Sequence, residues 1–434
     1  MLLGIYRLLF APAVLLLAPY YLWRMRRRGG YAKHFSDRWG GFDRVPARRP
    51  GVRRIWIQAV SVGEMLAIGP LLERLVADAT LEVVLTCTTS TGMAIAEERY
   101  ARRLAGLGYF PLDAWPFSRR TWRTIDPDLM ILTEGERWPE HLAQARKRNV
   151  PVLCVNARLS DRSYRRMRRV RWAVPTLMQG ITRVVAASTQ DAARFVELGF
   201  EASRVSTVGN IKLDITVPPL EPERRAALLT SLGFPADVLI LLGSSTWPGE
   251  ESALLSAFQG LRAEGLSARL LLVPRHAERR GEIVPVLQAA GLTYHMRSAG
   301  PAPGPVEIAL ADTTGELRQL THLADVVFVG KSLPPHHEGQ TPIEAAALGK
   351  PILMGPEMSN FRPIATELTV AGAAIRITNG DELRSAVVQL WRDADRRKSM
   401  AAAAQAWHRG NQGALDRTLS AIHEELNRSL RAGQ

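Results

Sequence analysis

The chain has 434 residues, of which 46% are hydrophobic and 23% are charged. These values exclude an intrinsically disordered chain, and the length is sufficient for two domains with separate cores. The formal net charge of +14 comes mostly from arginine, and such a surface favours an acidic partner: a phosphorylated lipid, an anionic membrane or a nucleic acid.

The N-terminal segment predicts a membrane anchor. Residues 2–23 are strongly apolar apart from Arg7 and two prolines, and arginines cluster within residues 24–28. A cleaved signal peptide carries its charge before the apolar run, so this order favours an anchor over residues 1–28 that either spans the membrane marginally or lies in its interface. The arginines predict a cytoplasmic position for the following domain. An ordinary first helix packed in a core is the alternative.

Strands and helices alternate through the first half of the chain. A helix from Gly63 to Ala77 is predicted after the first strand, and further helices separate the later strands. The alternation is typical of a doubly wound α/β domain, which we expect over residues 29–216. The predicted strands are Ile55–Val60, Leu81–Thr86, Leu129–Leu132, Val152–Val155, Arg183–Ala187 and Arg204–Val208.

The pattern restarts after the proline- and charge-rich stretch Val217–Arg224, which we interpret as a linker. A second α/β domain of similar size is expected over residues 217–404. Two such domains are expected to bind a ligand between the carboxyl ends of their strands. The predicted strands are Val238–Leu242, Arg269–Val273, Val306–Ala309, Val326–Val329, Pro351–Met354 and Ala374–Ile377.

A strand-to-helix turn in the first domain predicts a general base. Ser61 and Glu64 follow the first strand, and their spacing fits a capping box with the serine as N-cap. The carboxyl edge of a sheet is also where such folds place their chemistry. Gly63 would let a substrate approach, and a carboxylate here could accept the proton of an attacking hydroxyl. The sequence leaves capping and catalysis both open for Glu64.

Further charged residues follow later strands of the same domain. Glu134 and Glu136 are two residues apart, so in an extended loop they point the same way. They could stabilise charge, or one of them could pair with a nearby arginine as a structural contact. Lys212 precedes the predicted linker and could neutralise a departing phosphate, although a surface lysine is the alternative.

Three turns of the second domain predict contacts with a phosphorylated ligand. Ser245 and Thr246 lie where hydroxyls and free amides at a helix start could hold a phosphate. Pro274 and Arg275 end the next strand, and the arginine could meet a phosphate or a cytosine carbonyl unless it is simply solvated. The turn Gly315-Glu316-Leu317 could bind the ligand or cap a helix.

The most informative stretch follows the strand that ends at Gly330. A strand, a glycine-containing loop, a short helix with Glu344 in its first turn and a Lys-Pro pair are typical of the donor site in nucleotide-sugar glycosyltransferases. Glu344 could accept two hydrogen bonds from a ribose diol. A capping box is the alternative for the same residues, Thr341, Pro342, Ile343 and Glu344.

An arginine-rich segment predicts contact with an anionic surface. Arginine occupies six of the ten positions from Arg162 to Arg171. Tyr164 and Trp172 are the only aromatic residues at the run, which is few for base stacking, so we expect lipid headgroups or lipid phosphates rather than nucleic acid. A plain solvated helix is the alternative.

No metal site is predicted. The two cysteines, Cys87 and Cys154, lie in apolar strand-like runs without a CxxC or another metal-ligand spacing, and the nine histidines form no HExxH. We expect free buried thiols in a reducing compartment.

Taken together, these segments resemble the Kdo transferases, inner-membrane enzymes that transfer 3-deoxy-D-manno-octulosonic acid (Kdo) from CMP-Kdo to a lipid A precursor. The resemblance covers nearly the whole chain, including the N-terminal anchor, and the order and spacing of its short motifs make it specific. The motifs are Ala59–Glu64, Glu134–Pro139, Val155–Ser160, Gly209–Asp214, Ser245–Glu251, Val273–His276, Gly315–Leu317 and Glu338–Phe361.

The resemblance implies a GT-B glycosyltransferase fold: an N-terminal acceptor domain, a C-terminal donor domain, and a last helix within residues 405–434 that returns to the N-terminal domain. It implies an inverting transfer without a metal at the cytoplasmic face of the inner membrane. Glu64 is then the general base, and Glu134 and Lys212 stabilise the transition state. The residues implied to hold CMP are Pro274, Arg275, Gly315, Glu316, Leu317, Thr341, Pro342, Ile343 and Glu344, and further donor or acceptor contacts are Ser61, Gly63, Glu136, Ser245, Thr246 and Asn360.

The chain departs from the family pattern within several of these motifs or next to them. Trp247 stands where a histidine is usual, Lys331 where a glycine is usual and Arg137 where a leucine is usual. The usual Gly-Gly-His-Asn before the proline is replaced by Glu338-Gly339-Gln340-Thr341. These departures leave undetermined how the sugar is contacted, but they do not change the class of nucleotide that is expected.

Two other functions remain open at this point. One is another GT-B enzyme that uses a UDP donor, such as a hexosyltransferase or a sugar-nucleotide epimerase. The other is a catalytically inactive, membrane-anchored lipid-binding protein. The choice between CMP and UDP separates the first from a Kdo transferase, and a transfer assay separates the second.

Overall fold

Two parallel sheets of seven strands organise the described residues, 2–29, 31, 33–42, 44–135 and 137–431, in the computed structural model. Each sheet belongs to its own unit. The first unit is Met1–Asp214 with Gln412–Gln434, and the second is Ile215–Asn411. Helices alternate with the strands in both units, which confirms the predicted α/β class with two Rossmann-like domains.

The sheet of the first unit is built from parallel strands with the spatial order β3-β2-β1-β4-β5-β6-β7. The chain therefore moves outward from β1 to β3 and then returns to place β4 on the other side of β1. Ligands bind at such a switch point, beyond the carboxyl ends of the two central strands. The strands are β1 (Arg53–Ala59), β2 (Leu81–Cys87), β3 (Gly106–Tyr109), β4 (Leu129–Thr133), β5 (Val152–Ala157), β6 (Arg183–Ala186) and β7 (Val205–Thr207).

The helix predicted over 63–77 is two helices in the structure. They are separated at Ile68, because Pro70 has no N–H to donate and its ring prevents a continuous helix through this point. The helices of this part of the chain are α1 (Leu2–Arg28), α2 (Val62–Ala67), α3 (Gly69–Ala77), α4 (Ser90–Tyr100), α5 (Trp115–Ile125), α6 (Pro139–Lys147), α7 (Asp161–Arg169), α8 (Val174–Leu177) and α9 (Thr189–Glu197).

Both faces of this sheet are covered, which is why its strands read as continuous apolar runs. Successive side chains of a strand point to opposite faces. Ile55 and Ile57 accordingly lie in one buried cluster with Leu72 of α3. Trp56, between them, lies in a second buried cluster with Trp122 of α5.

The sheet of the second unit repeats this arrangement with the order β10-β11-β9-β8-β12-β13-β14, and its switch point lies between β8 and β12. Its strands are β8 (Ile240–Thr246), β9 (Arg269–Pro274), β10 (Tyr294–Met296), β11 (Ile308–Leu310), β12 (Val326–Val329), β13 (Ile352–Met354) and β14 (Ala374–Arg376). Its helices are α10 (Pro222–Ser231), α11 (Glu250–Ala263), α12 (Arg280–Ala289), α13 (Leu317–Thr321), α14 (Ile343–Ala347), α15 (Arg362–Val370), α16 (Gly380–Arg392) and α17 (Ala394–Gly410).

Some elements differ from the sequence-based expectation. Helix α10 begins inside the predicted linker, because Pro222 is favourable at a first helical position. The sequence pattern missed β3 and β10, which have four and three residues. Two glycines in β3 also weaken the strand signal.

The last helix, α18 (Ala414–Arg431), belongs to the first unit. Asp214 accepts the backbone N–H of Gly413 at 3.0 Å and that of Leu415 at 2.6 Å, which fixes the start of the helix. Ile422 and Leu426 then enter the same buried cluster as Ile55 of β1.

Helix α1 extends over 27 residues, with Pro12 and Pro19 inside it, and it is bent before Pro12. Among the described residues, no single helix passes a test of length and apolarity for crossing a membrane. The segments Leu2–Phe10 and Pro12–Arg27 pass it only together, as a pair bent by 44°.

The start of α1 is attached to the first unit by buried carboxylates. The Tyr6 hydroxyl donates to Asp113 at 2.7 Å. Arg7 forms an ion pair at 2.7 Å with Glu140, whose side chain is fully buried. Beyond the other end of the helix, the ring of Tyr31 stacks on Tyr109 in the same unit, with centroids 5.4 Å apart.

Candidate active site

Glu64 lies at the switch point of the first sheet, in the first turn of the helix that follows β1. Its Oε2 accepts the N–H of Val60 at 2.9 Å and the hydroxyl of Thr133, at the end of β4, at 2.5 Å. Ser61 is the N-cap and accepts the N–H of Glu64 at 3.4 Å. Ser61 thus caps the helix as predicted, while the carboxylate of Glu64 accepts the N–H of Val60, one residue before the N-cap, and faces the carboxyl edge where β1 and β4 meet.

The environment of Glu64 makes its carboxylate more basic than an ordinary one. Burial raises its pKa, and the negative charge of Glu134 raises it further. Hydrogen bonds from Thr133, Val60 and Ser61 act in the opposite direction without cancelling the effect. A raised pKa suits a group that must accept a proton near neutral pH.

Glu134 and Lys212 form an ion pair beside Glu64. The Nζ atom of Lys212 lies 2.9 Å from Oε1 of Glu134, and both side chains are 28% exposed. Glu134 directly follows β4 and has a left-handed backbone, with φ of 54°. Such strain in a non-glycine residue is frequent at functional sites. The pair leaves a half-buried cation next to a basic carboxylate.

Asn156, which sequence reasoning missed as a site residue, positions the turn that carries Lys212. Its Oδ1 accepts the N–H of Ile211 at 3.2 Å, and its side chain is fully buried at the end of β5. Its backbone is also left-handed, with φ of 50°. Its Nδ2 has no hydrogen-bond partner among the described residues. Thr133 was also missed and carries no local sequence signal, whereas Asn156 lies within the motif Val155–Ser160.

Two further contacts were predicted in the first unit, Gly63 and Glu136. Gly63 is exposed within α2, and a Cβ there would meet only Ser61 Oγ, at 3.8 Å, so this face of the helix is open. Glu136 lies outside the described residues.

The predicted phosphate cradle after β8 is partly filled by the protein itself. The buried carboxylate of Glu250 accepts the N–H of Trp247 at 2.8 Å. It also accepts the N–H groups of Lys331, Ser332 and Leu333, at 2.7–3.1 Å. The amide of Trp247 is therefore not among the free amides expected at this helix start. Glu250 instead fixes the two turns at the switch point of the second sheet to each other.

Ser245 and Thr246 are the two predicted ligand contacts at this edge of the second sheet. Ser245 has a left-handed backbone, with φ of 54°, and Gly330 packs so closely on it that a Cβ would lie 2.3 Å from the Ser245 carbonyl oxygen. Thr246 is fully buried, and its hydroxyl has no hydrogen-bond partner among the described residues.

The predicted donor contacts after β9 and β11 have different surroundings. Pro274 is buried at the end of β9, whereas Arg275 is exposed. Glu316 pairs with Arg297 at 3.0 Å, and this hydrogen bond is the main reason why its pKa is lowered. The structure thus gives Glu316 a structural partner. Gly315, with φ of 85°, forms the turn before it, and Leu317 begins α13.

The loop before α14 folds back on itself. Gly339, with φ of 73°, donates its N–H to the carbonyl of Lys331 at 2.7 Å, and Gln340 donates to Gly330 at 2.9 Å. These two amides of the glycine-containing loop are therefore not free for a phosphate. Asn360 is exposed, and its N–H donates to the carbonyl of Glu338 at 2.8 Å.

The predicted capping box of this loop is shifted by one residue. The helix begins at Ile343 with Pro342 as N-cap, and the Thr341 hydroxyl accepts the N–H of Ile343 at 3.3 Å. Glu344 lies 4.0 Å from Arg318 and is half-buried. A carboxylate in this position is open to a diol ligand.

No group of three or more His, Cys, Asp or Glu side chains placed to hold a metal ion occurs among the described residues. The two cysteines, Cys87 and Cys154, are buried free thiols. Burial raises the pKa of Cys87 to about 12.

Known proteins resemble this chain over most of its length. Residues 26–215 match the family described as 3-deoxy-D-manno-octulosonic-acid transferase (kdotransferase). The chain is 36% identical over 426 residues to the 3-deoxy-D-manno-octulosonic acid transferase of Bordetella pertussis, covering 94% of this chain and 97% of that protein. It is 30% identical over 404 residues to the protein of the same name from Haemophilus influenzae, covering 92% of this chain and 93% of that protein.

The fold is also found among solved structures. A glycosyltransferase from Rickettsia africae superposes with a TM-score of 0.56 at 13% identity, covering 86% of this chain and 99% of that chain. At this identity the likeness concerns the fold alone, and it confirms the predicted GT-B fold.

Proposed function

Because the chain belongs to the 3-deoxy-D-manno-octulosonic acid transferase family, we propose that it moves Kdo from CMP-Kdo to a hydroxyl group of a lipid A precursor during synthesis of the lipopolysaccharide core. The observation that carries the proposal is the grouping of Glu64, Glu134 and Lys212 at the switch point of the first sheet. A basic carboxylate beside a fixed cation is what an inverting sugar transfer requires.

In the proposed step, Glu64 accepts the proton of the acceptor hydroxyl while that oxygen attacks the anomeric carbon of Kdo. The new carbon–oxygen bond forms as the bond from the anomeric carbon to the CMP phosphate breaks, and CMP leaves with the electron pair. Attack opposite to the leaving group inverts the anomeric centre. The hydrogen bond from Thr133 fixes one oxygen of Glu64, so the carboxylate is oriented before the substrate arrives.

Lys212 and Glu134 are proposed to stabilise charge during this step. The ammonium of Lys212 is held by Glu134 at 2.9 Å and by a turn that Asn156 supports, so its position is fixed in advance. A preorganised cation stabilises the negative charge that develops on the leaving phosphate. Glu134 has a second effect, since its charge helps to raise the pKa of Glu64.

The second unit is proposed to hold the CMP part of the donor. Arg275 is exposed at the end of β9 and would contact a phosphate or the cytosine carbonyl. Glu344 would accept hydrogen bonds from the ribose diol, and Thr341, Pro342 and Ile343 fix the start of its helix. Pro274, Gly315 and Leu317 would shape the base pocket, with Glu316 held by Arg297.

A membrane surface is proposed as the site of the reaction, at the cytoplasmic face of the inner membrane. Helix α1 carries exposed apolar side chains such as Leu15 (74%) and Leu16 (81%), which is unusual for a helix packed in a core. The start of α1 contacts the first unit, and Tyr31, three residues beyond the end of the helix, contacts it again, so α1 would lie in the interface rather than span the bilayer.

The arginine-rich helix α7 supports the same orientation. Its arginines are exposed, and Trp172 just beyond it is 70% exposed. Exposed arginines beside an exposed tryptophan suit an anionic lipid surface, where each basic residue contributes about 1 kcal/mol.

The test is a transfer assay with CMP-Kdo and a tetraacyl lipid A precursor, together with thermal unfolding in the presence of CMP or UDP. We expect Kdo transfer and protection by CMP but not by UDP. Protection by UDP without Kdo transfer would indicate an enzyme that uses a UDP-sugar. Binding of lipid without any transfer would indicate an inactive lipid-binding protein.

A further inference from the structure

Three side chains form a cluster at the switch point of the second sheet: Lys331, Trp247 and Glu338. Trp247 follows β8, and Lys331 follows β12. Because β8 and β12 are neighbours in a parallel sheet, their following turns leave from the same edge, where such folds bind ligands.

The ammonium group of Lys331 is held in place from two sides. Its Nζ lies 4.4 Å from the centroid of the Trp247 ring, in a cation–π contact. It also lies 3.2 Å from Oε1 of Glu338. Lys331 is 21% exposed and Glu338 is 33% exposed, so the ammonium is sheltered but reachable. An ammonium has three donors, and these two contacts leave it able to bind a further anion.

The backbone of Lys331 is in a conformation that favours glycine. Its φ is 57°, in the left-handed region. The backbone is fixed there, because its N–H donates to Glu250 at 2.8 Å and its carbonyl accepts from Gly339 at 2.7 Å. Glycine would adopt this turn without the steric cost of a side chain. A lysine at this position therefore indicates a use for the side chain itself.

We propose that Lys331 binds an anionic oxygen of the donor and is a specificity-determining residue of the transfer. This inference rests on the proposed function, since CMP-Kdo carries two such groups, the phosphodiester and the sugar carboxylate. Trp247 and Glu338 orient the ammonium before the donor binds. The ion pair with Glu338 is partly exposed and therefore weak, so the ligand can share or replace it.

The test uses Lys331→Gly and Lys331→Met in the full-length protein, with the exposed lysine variant Lys398→Met on α17 as a matched control for loss of one charge. The glycine variant removes the side chain and relieves the backbone, and the methionine variant keeps most of the stem and removes the charge. The readouts are KM for CMP-Kdo, Kd for CMP by calorimetry, and Tm.

We expect KM for CMP-Kdo to rise about tenfold or more in both variants, the effect of losing one hydrogen bond to a charged group. The Tm of Lys331→Gly should not fall. An unchanged Kd for CMP would identify the sugar carboxylate as the ligand. A Kd for CMP raised by the same factor would identify the phosphate. The Lys398→Met control should match the wild type.

Three results would overturn the inference. A KM within about twofold of wild type in both variants would exclude an anion contact. A loss confined to Lys331→Gly would show that the stem packs but the charge does not bind. A wild-type protein that neither binds nor uses CMP-Kdo would contradict the proposed function and this inference together. Normal transfer by the wild type, with an unchanged KM in both Lys331 variants, would contradict the inference alone.

Discussion

In the proposed transfer, Glu64 combines two tasks that the sequence presents as alternatives. Its backbone N–H is capped by Ser61, and its carboxylate accepts from Val60 and Thr133. Helix capping holds the side chain in one orientation, and burial raises its pKa. The cap thus preorganises the base, and the same hydrogen bonds serve both roles.

Replacement of the base is predicted to remove activity without unfolding the protein. Glu64→Gln keeps an amide oxygen for the N–H of Val60 but cannot accept a proton. We expect kcat to fall about 10²- to 10⁴-fold, with Kd for CMP and Tm close to the wild type. A variant that melts early and still turns over would show that Glu64 is only a cap.

The pH dependence of the reaction should report the same carboxylate. A general base works deprotonated, so activity is lost as the pH falls through its pKa. Because the pKa of Glu64 is raised by burial and by Glu134, the acid limb of kcat/KM should lie above the ordinary carboxylate value of about 4.3.

A second variant separates the two causes of this shift. Glu134→Gln removes the like charge, so the acid limb of kcat/KM should move to lower pH in this variant. The residual activity of Glu64→Gln should show no such acid limb. An acid limb that does not move in Glu134→Gln would contradict a charge effect of Glu134 on the base.

At the scale of the elements, the turns after β12 and β13 pack backbone against backbone at the edge of the second sheet. Gly355 follows β13 and donates its N–H to the Ser332 hydroxyl at 2.9 Å. A Cβ on Gly355 would lie 1.6 Å from the carbonyl oxygen of Ser332. Since the obstacle is main chain, it cannot rotate away as a side chain would. The stability of the second unit therefore depends on this glycine.

Gly355→Ala is predicted to destabilise the protein by more than about 2 kcal/mol, with a Tm lower by about 5–10 °C. Gly281→Ala is the matched control, because a Cβ there meets nothing within 4 Å and the helix α12 should tolerate or gain from alanine. Thermal unfolding of both variants checks the prediction. Equal Tm values would mean that the turns after β12 and β13 can move apart at little cost.

At the scale of the whole molecule, attachment to the membrane and attachment of α1 to the protein involve different residues. Tyr6 and Arg7 hold the helix to buried Asp113 and Glu140. The apolar side chains further along the helix are exposed. Deletion of the whole segment would remove the Tyr6 hydroxyl from Asp113 and the Arg7 cation from Glu140, leaving to these buried carboxylates the hydrogen bonds from the start of α6 and from Gln144. It would therefore test stability together with membrane binding.

Replacement of exposed leucines tests the membrane role alone. The double variant Leu15→Gln and Leu16→Gln keeps Tyr6 and Arg7, and it removes apolar surface that would enter the lipid interface. We expect the wild type to stay with membranes in high salt, because apolar burial is not screened. A larger fraction of the variant should be released by the same wash, since it loses two strongly exposed apolar side chains of α1 and depends more on its screened arginine contacts.

Fractionation of membranes after low- and high-salt washes gives the result, with Val370→Gln, an 83% exposed apolar position on α15, as the control. KM for CMP-Kdo should be unchanged in both variants. A wild-type protein found in the soluble fraction after high salt would rule out the apolar anchor.

The sequence by itself determined most of the alternating elements, the division into two α/β domains and the turns in which most of the candidate residues lie. These features are encoded within stretches of about ten residues, where hydrophobic periodicity and turn residues act locally. The family follows from the same local motifs, because their order along the chain is specific.

Only the tertiary structure decided which strand ends meet and which polar groups are already satisfied. Glu64 and Glu134 are far apart in the chain, and they are neighbours because β1 and β4 pair at the switch point. Glu250 occupies amides that the sequence offered to a phosphate. Arg7 is paired with a buried carboxylate on α6. Strand order and desolvation depend on long-range packing, which no local pattern of residues contains.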